Sequence, residues 1–262
     1  MTLPSSGAIS LNQLHVEAGG SSGSQAAMND SDIRAMIGKG STSQNSFNEY
    51  YGVSATAPVA TYKGRTLTTG NGFPAGYVSL SSGTKIVVVT LQLPGYANTY
   101  CSLGSSAMTL AASNAQNSMS AVYYLVTSAS GNQYISGNGG SGRSTAHVWE
   151  ITGYESSTPR STTATTNATA NTYTHTISLA TQYNGVTIGS GVTEDTIPAN
   201  GVTVSNADQL LQIDLESATN HYSWKDEGTA SGTTSHVCTQ TNPGNNGNPS
   251  GTFHRLAAAH WK

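Results

Sequence analysis

The stretch Lys85-Ile86-Val87-Val88-Val89-Thr90-Leu91-Gln92-Leu93 decides the fold class. Its apolar residues follow one another almost without a break, and most are β-branched. A short run of that kind marks a central strand covered on both faces. Outward from it, Ser120 to Val126 contains Val122-Tyr123-Tyr124-Leu125-Val126, and His147-Val148-Trp149-Glu150-Ile151-Thr152-Gly153-Tyr154 is a third strand. Thr174 to Leu179, Gly185 to Ile188 and Leu210 to Leu215 follow, and Thr252 to Trp261 closes the series. Turn-forming punctuation separates them: Ser130-Gly131-Asn132, Gly137 to Gly142, and Asn242 to Gly251. Strands at this spacing predict a mainly β protein of the sandwich or jelly-roll kind. The Thr/Ser-rich stretch 155–172, with its one proline, Pro159, is either a linker between two sandwiches or a crossing strand within one.

Composition agrees with the class. Charged residues make up 9% of the 262, against about 25% in ordinary chains. Ser, Thr and Asn fill roughly a third of the chain, well above ordinary usage. A net charge of −3 excludes a strongly basic nucleic-acid binder. No run reaches the ~18 apolar residues of a membrane helix. Met1-Thr2-Leu3-Pro4-Ser5-Ser6-Gly7 has neither a cationic region nor a long apolar one, so no secretory signal is expected there. Cys101 and Cys238 form no CxxC pair or disulfide framework. Two free thiols and assembly in a reducing cytoplasm are the expectation.

Residues 1–53 differ from the rest and carry signals for three short helices. Ser10 with Gln13 is a capping box, flanked by Ile9 and Leu14 at the positions of a hydrophobic staple. Gly19-Gly20 would end that helix. A second starts near Asn29 or Ser31, carries Ile33, Met36 and Ile37, and stops at Gly38. A third starts at Ser46, has Glu49 as its second capping-box partner, and stops at Gly52. Helices shorter than about 12 residues are marginal alone in water. The segment is therefore expected to gain order by packing on another surface. Ile9, Leu14, Ile33, Met36, Ile37, Phe47 and Tyr50 are its candidate anchoring residues, more apolar groups than three short helices should bury among themselves.

The chain offers little for catalysis. No acidic residue occurs from Tyr50 through Trp149. Glu194-Asp195 and Asp226-Glu227 are the visible carboxylate pairs, and both stand in stretches that read as loops. His236-Val237-Cys238 puts a His and a Cys on one strand face. A metal would need two further ligands, and His254 and His260 could supply them only if their strands paired suitably. Gly38-Lys39-Gly40-Ser41 resembles the end of a phosphate loop without its upstream glycine or preceding strand. No catalytic, metal or cofactor residue is assigned, and an enzyme is not expected. Trp149 and Trp261 read as packing residues. Tyr222 and Trp224, in a polar region, are the candidate sugar-stacking platform, because the C–H faces of sugars pack on aromatic rings.

Three motifs in order carry a resemblance. Leu3-Pro4-Ser5-Ser6-Gly7-Ala8-Ile9-Ser10-Leu11-Asn12-Gln13-Leu14 is followed by Asp32-Ile33-Arg34-Ala35-Met36-Ile37-Gly38, then by Ser46-Phe47-Asn48-Glu49-Tyr50-Tyr51-Gly52. The series resembles a segment that opens tail, tail-fibre and other appendage proteins of tailed bacteriophages. It covers about a fifth of the chain. The remainder is similar to β-sandwich modules of phage structural proteins in four pieces: Thr84 to Val89, His147 to Tyr154, Asn184 to Ile188 and Arg255 to Trp261. Their order suggests one module over 54–262.

The resemblance implies a virion structural protein assembled in the host cytoplasm, with 1–53 as the anchor and the β region projecting. A tail-associated fibre or adaptor comes first, and a capsid decoration or head fibre second. Implied partners are other virion proteins, further copies of the chain (a trimer if it is a fibre) and a host surface glycan, with no nucleic acid or membrane. The rivals from another class are a polysaccharide depolymerase, which would need clustered carboxylates, and a carbohydrate-binding module.

Overall fold

The computed structural model describes residues 3–18, 21–37, 39, 43–51, 57–94, 100–116, 118–139, 142–167, 174–182, 184–194, 201–215, 219–229, 232–240 and 253–262. Two short helices come first, α1 (Leu11–Glu17) and α2 (Ser31–Met36), then a 3-10 turn at Phe47–Tyr50. Strands follow: β1 (Val59–Thr68), β2 (Gly76–Leu80), β3 (Lys85–Pro94), β4 (Cys101–Leu103), β5 (Ser106–Ala107), β6 (Thr109–Gln116), β7 (Ser118–Thr127), β8 (Gly131–Gly137) and β9 (Ser144–Thr152). After a connection come β10 (Ser161–Asn167), β11 (Thr174–Thr181), β12 (Gly185–Glu194), β13 (Val202–Val204), β14 (Gln209–Leu215), β15 (Thr219–Thr229), β16 (Gly232–Gln240) and β17 (Phe253–Trp261).

The strands form four antiparallel sheets. The orders are β1-β9-β3-β7-β6, β2-β8-β4-β5, β10-β17-β12-β15-β14 and β11-β16-β13. The first two orders use only β1 to β9, and the last two only β10 to β17. Replacing β1, β2, β3, β4, β6, β7, β8 and β9 by β10, β11, β12, β13, β14, β15, β16 and β17 converts one pair of orders into the other. Among the described residues, only the two-residue β5 has no counterpart. The chain thus contains the same sandwich topology twice. The sheets divide between β9 and β10, at 153–160, where the 155–172 stretch left two sandwiches open beside one module over 54–262, and seven of that stretch's eighteen residues are β10.

The side chains stack the sheets in four layers. Val87, Val89, Leu91 and Val148 of the first five-stranded sheet meet Val78, Leu80, Leu103 and Ile135 of the four-stranded one. Its other face carries Ile86, Val88, Val122, Trp149 and Ile151, which pack on Val186, Ile188, Ala257, Ala259 and Trp261 of the second five-stranded sheet. That sheet's far face carries Tyr222, Trp224, Leu256 and Ala258, which meet Ile177, Leu179, Val202 and Cys238 of the three-stranded sheet. Both five-stranded sheets are therefore covered on both faces. This explains why β3 is an unbroken apolar run and why β9 is buried from Ser144 through Ile151. The small outer sheets show period-two alternation instead, as in β2 and β11.

Polar groups cross the seam between the two sandwiches. Trp149 Nε1 donates to Ser223 Oγ at 2.9 Å, and Ser223 Oγ donates to the Gly189 carbonyl at 2.9 Å. Gln92 Nε2 donates to Ser190 Oγ at 2.8 Å. At the rim, Glu227 accepts from the Ala60 N–H at 2.6 Å while Lys225 donates to the Ala60 carbonyl at 2.9 Å. The Lys225–Glu227 ion pair at 2.8 Å closes this clamp on β1.

Candidate functional site

The anchoring candidates come together, but around one another. Leu14, Ile33, Met36 and Tyr50 form a buried cluster with Leu3, and Ile9 and Ile37 pack against it. Ser10 completes the expected capping box, its hydroxyl accepting from the Gln13 N–H and its own N–H donating to Gln13 Oε1. The Glu49 carboxylate accepts from the Ser46 N–H at 2.7 Å, which sets up one 3-10 turn where a third helix was expected. Asn45 Nδ2 donates to the Met28 carbonyl at 2.7 Å and to Tyr50 Oη at 2.6 Å, tying the turn to the preceding loop. Arg34 donates to the Ser43 carbonyl and Tyr51 to the Gly7 carbonyl.

The expectation that these side chains need an outside surface to be buried is corrected. Leu3, Leu11, Ala18, Ala26 and Met28, in part outside the helices, supply the missing walls. Phe47 is the one candidate left exposed, at 39%. The expected stops Gly19, Gly20, Gly38 and Gly52 lie outside the described residues. Toward the β region, Lys262 Nζ donates to the Met36 carbonyl at 3.3 Å and lies 3.6 Å from Glu155 Oε1.

The sugar-stacking platform is corrected too. Tyr222 and Trp224 are both fully buried, their rings stacked at 6.0 Å inside the second sandwich. The cause lies across the ladder, where Gly189 pairs with Trp224 and Gly191 with Tyr222. The missing side chains leave room for the rings to lie flat over β12. Neither ring has a face open to a ligand.

Of the carboxylate pairs expected in loops, Glu194, Asp226 and Glu227 are strand residues, and His236, His254 and His260 lie on strands as well. Glu194 ends β12, whereas Asp195 lies outside the described residues. Asp226 and Glu227 sit in β15 on opposite faces, Glu227 in the clamp on Ala60 and Asp226 with Oδ2 3.7 Å from His236 Nε2. Burial pushes the Asp226 carboxyl up to about 6 and the His236 imidazole down. Near neutral pH that contact is therefore carboxylate to neutral imidazole. His236 and Cys238 do share a strand face, both buried. Among the described residues no three His, Cys, Asp or Glu side chains are grouped to hold a metal ion. Burial raises the Cys101 and Cys238 thiols to about 12, and both are free, in the cores of different sandwiches.

A groove with a volume of about 510 Å³ opens between the edge strands of the two five-stranded sheets, lined by Tyr62, Gly64, Arg65, His147, Leu210 and Leu211. The bulge between Tyr62 and Gly64 shifts the β1 register here. It leaves Tyr62 tilted over Trp149 at 5.2 Å and its hydroxyl 3.4 Å from His147 Nδ1. Burial, with Arg65 nearby, holds the His147 imidazole down to about 3. The groove thus presents a neutral imidazole, a phenol and one cation. Among the described residues, no helix is long and apolar enough to cross a membrane. No family model, curated protein or solved structure matches the chain.

Proposed function

We propose that the chain is a structural protein of a tailed-bacteriophage virion, a tail-associated fibre or adaptor whose segment 3–51 attaches it and whose two sandwiches project. The observation that carries this reading is the ordered motif series in the N-terminal segment, joined to a doubled β-sandwich. Each half is read as a jelly roll. The strands β1-β9-β3-β7 facing β2-β8-β4-β5 follow the order of two interlocked Greek keys, a layout used by capsid and lectin domains. That support is analogy at the level of fold.

Attachment in this reading runs through the outside of a self-packed peg. Phe47 is exposed there, and Ile9 and Ile37 are half-buried. Further copies of the chain and neighbouring virion proteins are the partners it implies. Mass spectrometry of purified particles from the phage that encodes the chain should recover it at fixed stoichiometry, and antibody to the β region should label tails in negative stain. Labelled heads would move the assignment to a capsid decoration or head fibre. Particles lacking the chain would defeat both.

A further inference from the structure

We propose that the outer face of the four-stranded sheet, centred on Tyr77 and Tyr134, binds a neutral oligosaccharide. Tyr77 and Tyr134 are cross-strand partners on β2 and β8. Their rings stand 4.9 Å apart at 56°. Tyr77 is 71% exposed, the most exposed large hydrophobic side chain among the described residues, and Tyr134 is 41% exposed. The other outward positions on this face are Ser79, Asn132, Ser136, Ser102 and Ala107. Ser102 Oγ and Ser136 Oγ lie 3.0 Å apart, a hydroxyl pair on the strands next to the rings. Tyr100, 57% exposed, stands two residues before Ser102.

The chemistry selects the occupant. Aromatic faces take the C–H faces of pyranose rings, while hydroxyl and amide groups take their hydroxyls. The outward positions carry no Lys, Arg, Asp or Glu, so nothing on this face would neutralise a sulfated, sialylated or uronic-acid glycan or a charged peptide.

The second sandwich supplies an internal comparison. Its outer sheet presents Thr176, Ser178 and Ala180 on β11, and Ser235 and Val237 on β16. The same topology therefore forms with no ring on its outer face among the described residues. Pairing the two outer strands does not need the tyrosines. This inference concerns the isolated chain and does not rest on the virion reading. A chain that binds no saccharide could still be a particle component.

The test presents the full chain to an array of neutral hexose and N-acetylhexosamine oligosaccharides, with sialylated, sulfated and uronic-acid glycans as separate arms, followed by calorimetric titration of the best neutral binder. Binding to a neutral oligosaccharide is expected. Tyr77→Ser should weaken it at least tenfold, Tyr77→Phe should retain it within about threefold, and Ser178→Ala on the other outer sheet should leave it unchanged. Thermal melts of all three variants separate lost binding from lost folding. No neutral binder, binding confined to the acidic arms, or equal affinity in a folded Tyr77→Ser protein would each overturn the proposal.

Discussion

Trp224 lies flat across Gly189, its partner on the adjacent strand. A Cβ placed at 189 would stand 2.0 Å from the indole Cε2. Two residues on, a Cβ at Gly191 would stand 2.2 Å from Tyr222 Cζ. The equivalent strand of the first sandwich, β3, is filled by Val87, Val89 and Leu91 instead. One topology is thus packed in two ways, aliphatic against aliphatic in the first half and ring against glycine in the second.

Gly189→Ala should therefore destabilise the protein by about 1–3 kcal/mol, the usual cost of overpacking a core. Trp224→Ala should cost about 3–5 kcal/mol through the cavity it leaves. Urea denaturation of the two single variants and of Gly189→Ala in the Trp224→Ala background checks the pairing. The glycine substitution should cost much less once the indole is gone, and additive effects would show that the two do not touch.

The shared seam predicts that neither sandwich is stable alone. A fragment 57–152 would leave Ile86, Val88, Trp149 and Ile151 without the Ile188, Ala259 and Trp261 they pack on. Burying one such side chain is worth about 1.5–3 kcal/mol, so losing this face removes several such contributions at once. The fragment should aggregate or self-associate, whereas 57–262 should melt in one cooperative transition. A soluble, monomeric and cooperatively folded 57–152 would show that the seam is dispensable.

These features explain what the sequence made legible. The runs at 85–93, 120–126 and 147–154 announced themselves because their strands are apolar on both faces. β10 is built mostly from Thr and Ser, β16 carries four Thr or Ser in nine residues, and β8 opens on Gly131-Asn132, which reads as a turn but pairs with Leu80 and Ser79. The doubling left no residue-level repeat, since Val and Leu in β3 correspond to glycines in β12. Tyr222 and Trp224 looked surface-bound because their own strand is polar. The sign of their burial lay in Gly189 and Gly191, whose period-two spacing matches that of the rings across the ladder. In the N-terminal segment the capping box at Ser10 was local and readable, whereas the burial of Ile33 and Tyr50 depends on Leu3 and Met28, outside any helical pattern.

Stability should fall with acid. Burial holds His147 and His221 down to about 3 and His260 to about 4. An unfolded histidine titrates at about 6.5. Below that pH the unfolded chain binds more protons, so stability is full above about 6.5 and is lost as the pH falls toward 4 and 3. Asp226, raised to about 6, works in the opposite sense between about 6 and its unfolded value of about 3.9, but it is one group against these three, and His175 and His236 are held down as well. Urea midpoints from pH 8 to pH 4 should decline, and His221→Gln should flatten the decline. A midpoint independent of pH would mean that these imidazoles are hydrated.

Under the proposed virion role, two variants of the N-terminal segment separate folding from attachment. Ile33 is fully buried, so Ile33→Asp should expose residues 3–51 to protease while the β region keeps its melting temperature. Phe47→Ser should leave the segment protected, since its ring is already exposed, and should lower incorporation into particles. Normal incorporation of Phe47→Ser would move the attachment surface elsewhere.

The virion assignment is tested most directly by a cryo-EM map of the intact particle. The account predicts appendage density that fits four stacked sheets in two sandwiches, with residues 3–51 proximal to the particle and the Tyr77–Tyr134 face open to the exterior. A map in which every appendage is accounted for by other chains, or in which the sandwiches face inward and the N-terminal segment outward, would contradict it.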